Sequence, residues 1–161
     1  MTKEEIEEIL KTSELLKLQT LRGQENFLLK GKTLAMIFEK ALTWNCISFA
    51  VGIRQLGGYA LYLSLKDFRL GRWETITDTA RTLSRYVNGI KARVFSHQTI
   101  LDLISNSREP IIDVLSDFTH PCQGLAELSI IQEKKSLLLG LKLAYIVAGN
   151  SVAQLLIYGC T

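Results

Sequence analysis

The segment Thr33–Cys46 reads TLAMIFEKALTWNC. Its first residues, up to Phe38, are apolar or β-branched, which is typical of a strand buried on both faces, whereas the residues from Thr43 onward follow helical spacing. A parallel strand, a short loop and a helix form the repeating unit of α/β domains, and the loop after the strand is their usual ligand site. The segment therefore predicts an α/β fold with a candidate site between Phe38 and Cys46.

The rest of the chain continues this alternation of strands and helices. Helical spacing after a Thr2 cap predicts an opening helix that runs to Leu18. The later segments are predicted as strands Thr33–Phe38, Tyr59–Leu63, Gly89–Phe95, Pro110–Leu115 and Leu141–Val147, and as helices Thr43–Gln55, Thr75–Tyr86, His97–Ser105, Pro121–Lys134 and Val152–Tyr158. The expected architecture is a three-layer domain with a central parallel sheet of four to five strands and helices on both faces.

The composition is that of an ordinary globular domain. The chain has 161 residues, of which 47% are hydrophobic and 22% are charged, so it can bury one core. Its 19 basic and 16 acidic residues are spread along the chain with a net charge of +3, which argues against a nucleic-acid partner. No apolar run approaches the roughly 20 residues that span a bilayer, so we expect no membrane association.

The three cysteines are Cys46, Cys122 and Cys160, and no two of them have the spacing of a zinc site. We therefore expect reduced thiols, no metal site and no cofactor. The charged, helical N-terminus is unlike a signal peptide, which favours a soluble cytoplasmic protein.

Several stretches resemble the ornithine/aspartate carbamoyltransferase family, and its ornithine branch in particular. Phe38-Glu39-Lys40 and Ile47-Ser48-Phe49 match the two ends of the family pattern FEKPSTRTRVSF. The other matches are QLGG at 55–58, DTAR at 78–81, ARVF at 92–95 and LSDFTHPCQ at 115–123. The resemblance implies a carbamoyl phosphate-binding domain over 1–138, and a truncated second domain, its first strand and helix, over 139–161. It also implies a homotrimer and a place in arginine biosynthesis.

Four positions keep residues that bind or activate carbamoyl phosphate in the family. By the resemblance, Arg93 and Thr43 contact carbamoyl phosphate, while His120 and Gln123 are the catalytic pair that polarises its carbonyl group. The side-chain chemistry agrees, because a guanidinium at a strand end can bind phosphate, and an imidazole and an amide can donate to a developing oxyanion. From the residues alone, a surface ion pair for Arg93 and a helix-start hydrogen bond for His120 stay open as alternatives.

The phosphate loop itself departs from the family. Leu42, Thr43, Trp44, Asn45 and Cys46 occupy the positions of the family signature STRTR. Two arginines and two hydroxyls are therefore missing. Since a charged hydrogen bond contributes roughly 1.5–3 kcal/mol, the loss of two such contacts predicts affinity for carbamoyl phosphate that is about a hundred- to ten-thousand-fold weaker.

The substitutions favour a contact surface over a transferase site. Leu42, Trp44, Leu65 and Trp73 all bring apolar side chains to ligand loops. The main hypothesis is a catalytically inactive, self-associating scaffold, either a paralogue or an engineered domain, whose interface contains these four residues. Two alternatives remain: a fragment of ornithine carbamoyltransferase that still binds carbamoyl phosphate, and a site for an apolar small molecule. Simple core filling would also explain Trp44 and Trp73.

Overall fold

The structure is a computed structural model that describes residues 1–39, 43–64, 75–135, 138, 140–144 and 146. The chain divides into two compact units, residues 1–24 with 119–161 and residues 25–118. We call the first the helical unit and the second the sheet unit. The boundary expected from the sequence, between 138 and 139, stays a prediction because most of residues 139–161 lie outside the described part.

The described helices and strands alternate along most of the chain. In chain order they are α1 (Lys3–Leu21), β1 (Thr33–Phe38), α2 (Thr43–Gln55), β2 (Tyr59–Ser64), α3 (Ile76–Leu83), β3 (Gly89–Arg93), α4 (His97–Asn106), β4 (Ile111–Leu115) and α5 (Pro121–Lys135). The four strands form one parallel sheet in the order β2-β1-β3-β4. All four carboxyl ends therefore meet at one edge of the sheet, and the loops that follow the strands gather there.

Each face of the sheet carries its own core, because successive strand residues point to opposite faces. On one face, Ala35 and Ile37 of β1 pack in the same cluster as Ala80 of α3 and Leu103 of α4. On the other face, β1 contributes a second row of side chains that packs against α2 and consists of Leu34, Met36 and Phe38. Helices on both faces of a parallel sheet confirm the predicted three-layer α/β architecture.

The helical unit contains α1 and α5. Thr2 accepts a hydrogen bond from the Glu5 N–H and donates its own N–H to the Glu5 side chain, which confirms the predicted cap. Lys17 of α1 forms an ion pair with Glu133 of α5. Across the described residues, no helix has both the length and the apolar content needed to cross a membrane.

The predicted boundaries differ from the observed ones by a few residues. Gly57 has φ of +80°, so the predicted left-handed stop after α2 is confirmed. Thr75 is the cap of α3 and not its first residue, since its side chain accepts the Asp78 N–H. Strand β3 ends at Arg93 and not at Phe95, because the Phe95 N–H donates to the carboxylate of Glu39 instead of to a neighbouring strand.

The predicted fifth strand, Leu141–Val147, is not found among the residues of that range that the structure describes. Residues 141–144 and 146 have no strand assignment. An apolar, β-branched run forms a strand only when a neighbouring strand supplies hydrogen bonds, and sequence pattern alone cannot show that the neighbour is there. The predicted helix Val152–Tyr158 lies outside the described residues.

Candidate functional site

The carboxyl edge of the sheet unit is held together by hydrogen bonds between the loops that follow the strands. Glu39, just after β1, donates its N–H to the Arg93 carbonyl at 3.0 Å, and its carboxylate accepts the Phe95 N–H. The Phe95 carbonyl in turn accepts the Asp117 N–H at 2.8 Å. The ends of β1, β3 and β4 are thus fixed relative to one another, which prepares this edge to position functional side chains.

Arg93 is the last residue of β3 and lies at this edge. Its register partners are Phe38 of β1 and Leu115 of β4, and only 8% of the residue is exposed. Burial lowers the pKa of the Arg93 guanidinium, yet an arginine stays protonated at neutral pH. A largely buried cation at the end of a parallel strand is suited to hold an anion.

Trp44, in the first turn of α2, is 81% exposed. It therefore does not fill the core of the sheet unit. Thr43 begins α2, but its side chain, like Leu42, Leu65 and Trp73, lies outside the described residues.

The predicted catalytic pair belongs to the helical unit. The His120 carbonyl accepts the Gln123 N–H at 3.0 Å at the start of α5, and His120 is partly buried. The Gln123 side-chain amide donates to Glu127 one turn later at 2.8 Å. This bond holds the Gln123 side chain along the helix, so one of its two amide hydrogens is already used. Arg93 belongs to the sheet unit.

Lys91, two residues before Arg93 in β3, is a buried charged residue that the sequence analysis did not identify. It is completely buried in β3, and its ammonium nitrogen lies 3.6 Å from the ring centroid of Phe38 and 4.9 Å from that of Phe49. An ammonium group over the face of an aromatic ring is attracted by the ring quadrupole. The available signal was a lysine inside the predicted strand GIKARVF, where an apolar residue is expected.

A polar cluster around His97 was also missed. The His97 Nδ1 lies 3.0 Å from the Ser116 hydroxyl and 3.7 Å from the Asp113 carboxylate, and Ser116 donates to Asp113 at 3.3 Å. Burial raises the pKa of Asp113, while the Ser116 hydrogen bond and the charge of His97 oppose that rise. Both partners meet the same ring nitrogen, whereas a catalytic triad places serine and aspartate on different nitrogens. The cluster therefore ties β4 to α4 and does not form a nucleophile relay.

Metal ligands do not converge in the ranges that the structure covers. Among the residues described, no three His, Cys, Asp or Glu side chains form a group that could hold an ion. Cys46 and Cys122 are partly buried thiols without a disulfide.

Comparison with known proteins identifies the family of this chain. A family model described as the aspartate/ornithine carbamoyltransferase, carbamoyl-P binding domain, matches residues 1–133. An ornithine carbamoyltransferase of Thermococcus kodakarensis is 54% identical over 160 residues, which is 99% of this chain and 51% of that protein. A Pyrococcus abyssi ornithine carbamoyltransferase is 49% identical over the same length.

Solved structures agree. The ornithine carbamoyltransferase of Pyrococcus furiosus superposes with a TM-score of 0.95 at 48% identity, and the match covers 99% of this chain and 51% of that one. The Thermus thermophilus enzyme gives a TM-score of 0.86 at 35% identity, covering 96% and 53%. The chain thus spans about half the length of the relatives it matches. It belongs to the aspartate/ornithine carbamoyltransferase family and corresponds to the carbamoyl phosphate-binding domain.

Proposed function

We propose that this chain is a carbamoyl phosphate domain of the ornithine carbamoyltransferase type that does not transfer carbamoyl groups and associates with copies of itself, most simply as a trimer. The exposure of Trp44 carries the proposal. In the family pattern that position is an arginine of the phosphate loop, and here it is a tryptophan with 81% of its surface in solvent.

Trp44 does not stand alone on its helix. Ile47 and Val51 follow it at spacings of three and seven residues, which places all three on one side of α2, and they are 51% and 47% exposed. The opposite side of α2 packs on the sheet through Phe49 and Ile53. An exposed apolar stripe that contains a tryptophan is typical of protein interfaces, where large aromatic residues supply much of the binding energy.

The composition of the phosphate loop supports the absence of transfer. The positions of the family's two loop arginines are Trp44 and Cys46, so the charge that would bind the phosphate is reduced. Association and loss of transfer are thus two consequences of the same substitutions.

Mutation of Trp44 tests the interface. We expect Trp44→Ala to dissociate the oligomer at micromolar concentration, because truncating a central interface tryptophan costs about 2 kcal/mol or more of association energy. The dissociated subunit should remain folded and still melt cooperatively, since Trp44 is outside the core. Sedimentation equilibrium gives the mass and circular dichroism gives the fold on the same sample.

Tyr86→Ala is the matched control, because Tyr86 is 77% exposed but lies outside α2. It should leave the mass unchanged. A monomeric parent protein, or an oligomer equally stable in the parent and in Trp44→Ala, would show that this stripe is not an interface.

Retained binding of carbamoyl phosphate is the second candidate function, and the largely buried guanidinium of Arg93 favours it. A ligand that binds only the folded state raises the melting temperature. If Arg93 still holds the phosphate, millimolar carbamoyl phosphate raises the melting temperature of the parent chain but not of Arg93→Gln. Inorganic phosphate at the same concentration serves as the control for general anion effects.

A further inference from the structure

The sheet unit contains a cavity at the edge opposite to Arg93. It has a volume of about 630 Å³ and is lined at the amino ends of the strands by Thr33 and Gly89. Its walls are apolar and come from both the sheet and α2. Among them are Leu34, Phe49, Ile53 and Ile112. This volume falls within the range of pockets that hold small organic molecules, roughly 300–1,000 Å³.

Gly52 of α2 opens one side of this cavity. A Cβ atom placed on Gly52 would meet nothing within 4 Å, and its backbone does not have the positive φ that favours glycine. Glycine within a helix is less favourable than alanine. Neither crowding nor backbone geometry requires glycine at this position, and the missing side chain leaves open space beside the cavity wall that Gly52 forms.

The rim of the cavity is polar but electrically balanced. Lys32 and Glu109 contribute opposite charges to the lining. Asn88, also in the lining, accepts the Thr33 N–H through its side-chain oxygen at 3.0 Å, so its NH₂ group is the part that can donate to a ligand. Apolar walls with a neutral, hydrogen-bonding rim suit an uncharged molecule that is mostly apolar and carries one acceptor group.

We infer that this cavity is a binding site for a neutral, largely apolar small molecule, which enters beside Gly52 and places a hydrogen-bond acceptor near Asn88. The site is separate from the carboxyl edge that holds Arg93, and its lining does not include Trp44. It is therefore distinct from the proposed phosphate contact, and its occupancy can be measured separately from the association through Trp44.

Filling the cavity from Gly52 tests the inference. The probe is N-phenyl-1-naphthylamine, a neutral apolar dye whose fluorescence rises when it leaves water. The parent chain should bind it saturably with one site per chain. Gly52→Phe places a large ring in the free volume and should weaken binding at least ~10-fold, a factor that corresponds to one decade in Kd. The control Gly52→Ala also removes the helix penalty of glycine but leaves most of the volume, and should bind within about threefold of the parent.

Ile112→Glu provides a second test if Gly52→Phe does not fold. Ile112 lines the cavity from the edge strand β4 and is 37% exposed, so the new carboxylate is tolerated by the fold but places a charge in the apolar wall. It should also weaken the dye at least ~10-fold. Trp44→Ala should leave dye affinity unchanged, so this inference and the proposed interface can fail separately.

Three results would overturn the inference. The first is the absence of saturable dye binding to the parent chain, which would mean that the volume is already covered. The second is equal affinity in the parent, Gly52→Phe and Ile112→Glu, which would locate the dye elsewhere. The third is a change in sedimentation mass caused by Gly52→Phe without a change in dye affinity, which would identify the cavity as a contact between copies of the chain.

Discussion

Lys91 and Arg93 show how two cations on the same strand can have different uses. Both point to the same side of β3 because they are two residues apart, and both are buried. Arg93 ends the strand at the edge where an anion could reach it. Lys91 is completely buried against the Phe38 and Phe49 rings, so its charge is removed from water. A buried charge is costly, and the aromatic contacts recover part of that cost.

Replacement of Lys91 separates the contribution of its packing from that of its charge. We expect Lys91→Met to unfold at a higher denaturant concentration than Lys91→Ala, because a methionine of similar length keeps the packing against the Phe38 and Phe49 rings. Lys91→Ala leaves a cavity and should be less stable than Lys91→Met by about 2–5 kcal/mol. Urea unfolding of the three proteins measures this. If Lys91→Met were as unstable as Lys91→Ala, the ammonium group itself would be essential to the fold.

At the scale of elements, α4 is attached to the end of β4 through its first residue. The His97 N–H donates to the Asp117 carboxylate at 2.7 Å, and the His97 ring meets Ser116, Asp113 and the ring of Phe118. Helix N-termini favour acceptors and negative charge, which explains Asp117 at this position. The attachment fixes the loop after β4 in the sheet unit.

Asp113, which contacts the His97 ring, should make the stability of the protein depend on pH in the acid range. Burial raises the pKa of Asp113 in the folded state, so the folded protein binds that proton more tightly than the unfolded chain does. Stability from this group is therefore largest below the ordinary aspartate pKa of about 3.9 and falls as the pH rises through the raised value.

Asp113→Asn removes that titration while keeping the shape of the side chain. Relative to the parent, the variant should gain stability as the pH rises from the ordinary aspartate pKa through the raised pKa of Asp113. Above that range, the difference in unfolding free energy between the two proteins should be constant. Urea unfolding of both proteins at about pH 3.5 to pH 7 gives the free energy of unfolding as a function of pH. A pH-independent difference between the two would mean that Asp113 has the same pKa in the folded and unfolded states.

At the scale of the whole molecule, the chain has the scaffold of its family with an altered phosphate loop. Its carboxyl-edge network is centred on Glu39, which is part of the FEK segment that the family pattern contains. The loop residues that follow differ in chemistry. The proposed change from anion binding to surface contact rests on this exchange of phosphate-loop residues within a scaffold that is kept.

We accordingly expect no citrulline from this chain with carbamoyl phosphate and ornithine, in a colorimetric assay against a protein-free blank. The combined reversion of Leu42→Ser, Trp44→Arg, Asn45→Thr and Cys46→Arg should strengthen binding of carbamoyl phosphate by about a hundredfold or more. Calorimetry measures that binding. Citrulline above the blank from the parent chain would contradict the proposal, and a reverted variant that still fails to bind would mean that the loop alone does not explain the loss.

The alternation of apolar strands and helical spacing was sufficient to predict the three-layer fold, because a strand buried on both faces must be apolar along its length. Local signals also identified Thr2 as a cap and Gly57 as a helix stop, since these depend on neighbours within a few residues. The resemblance of FEK and HPCQ to family patterns identified the family itself.

Properties that depend on residues distant in the chain required the tertiary structure. Whether Trp44 is exposed or buried depends on what packs against α2, and whether Leu141–Val147 forms a strand depends on a neighbouring strand. The burial of Lys91 and the meeting of His97 with Asp113 both follow from strand register. The cavity beside Gly52 is free volume between a helix and three strands, and free volume leaves no pattern in a sequence because it is defined by the atoms that surround it.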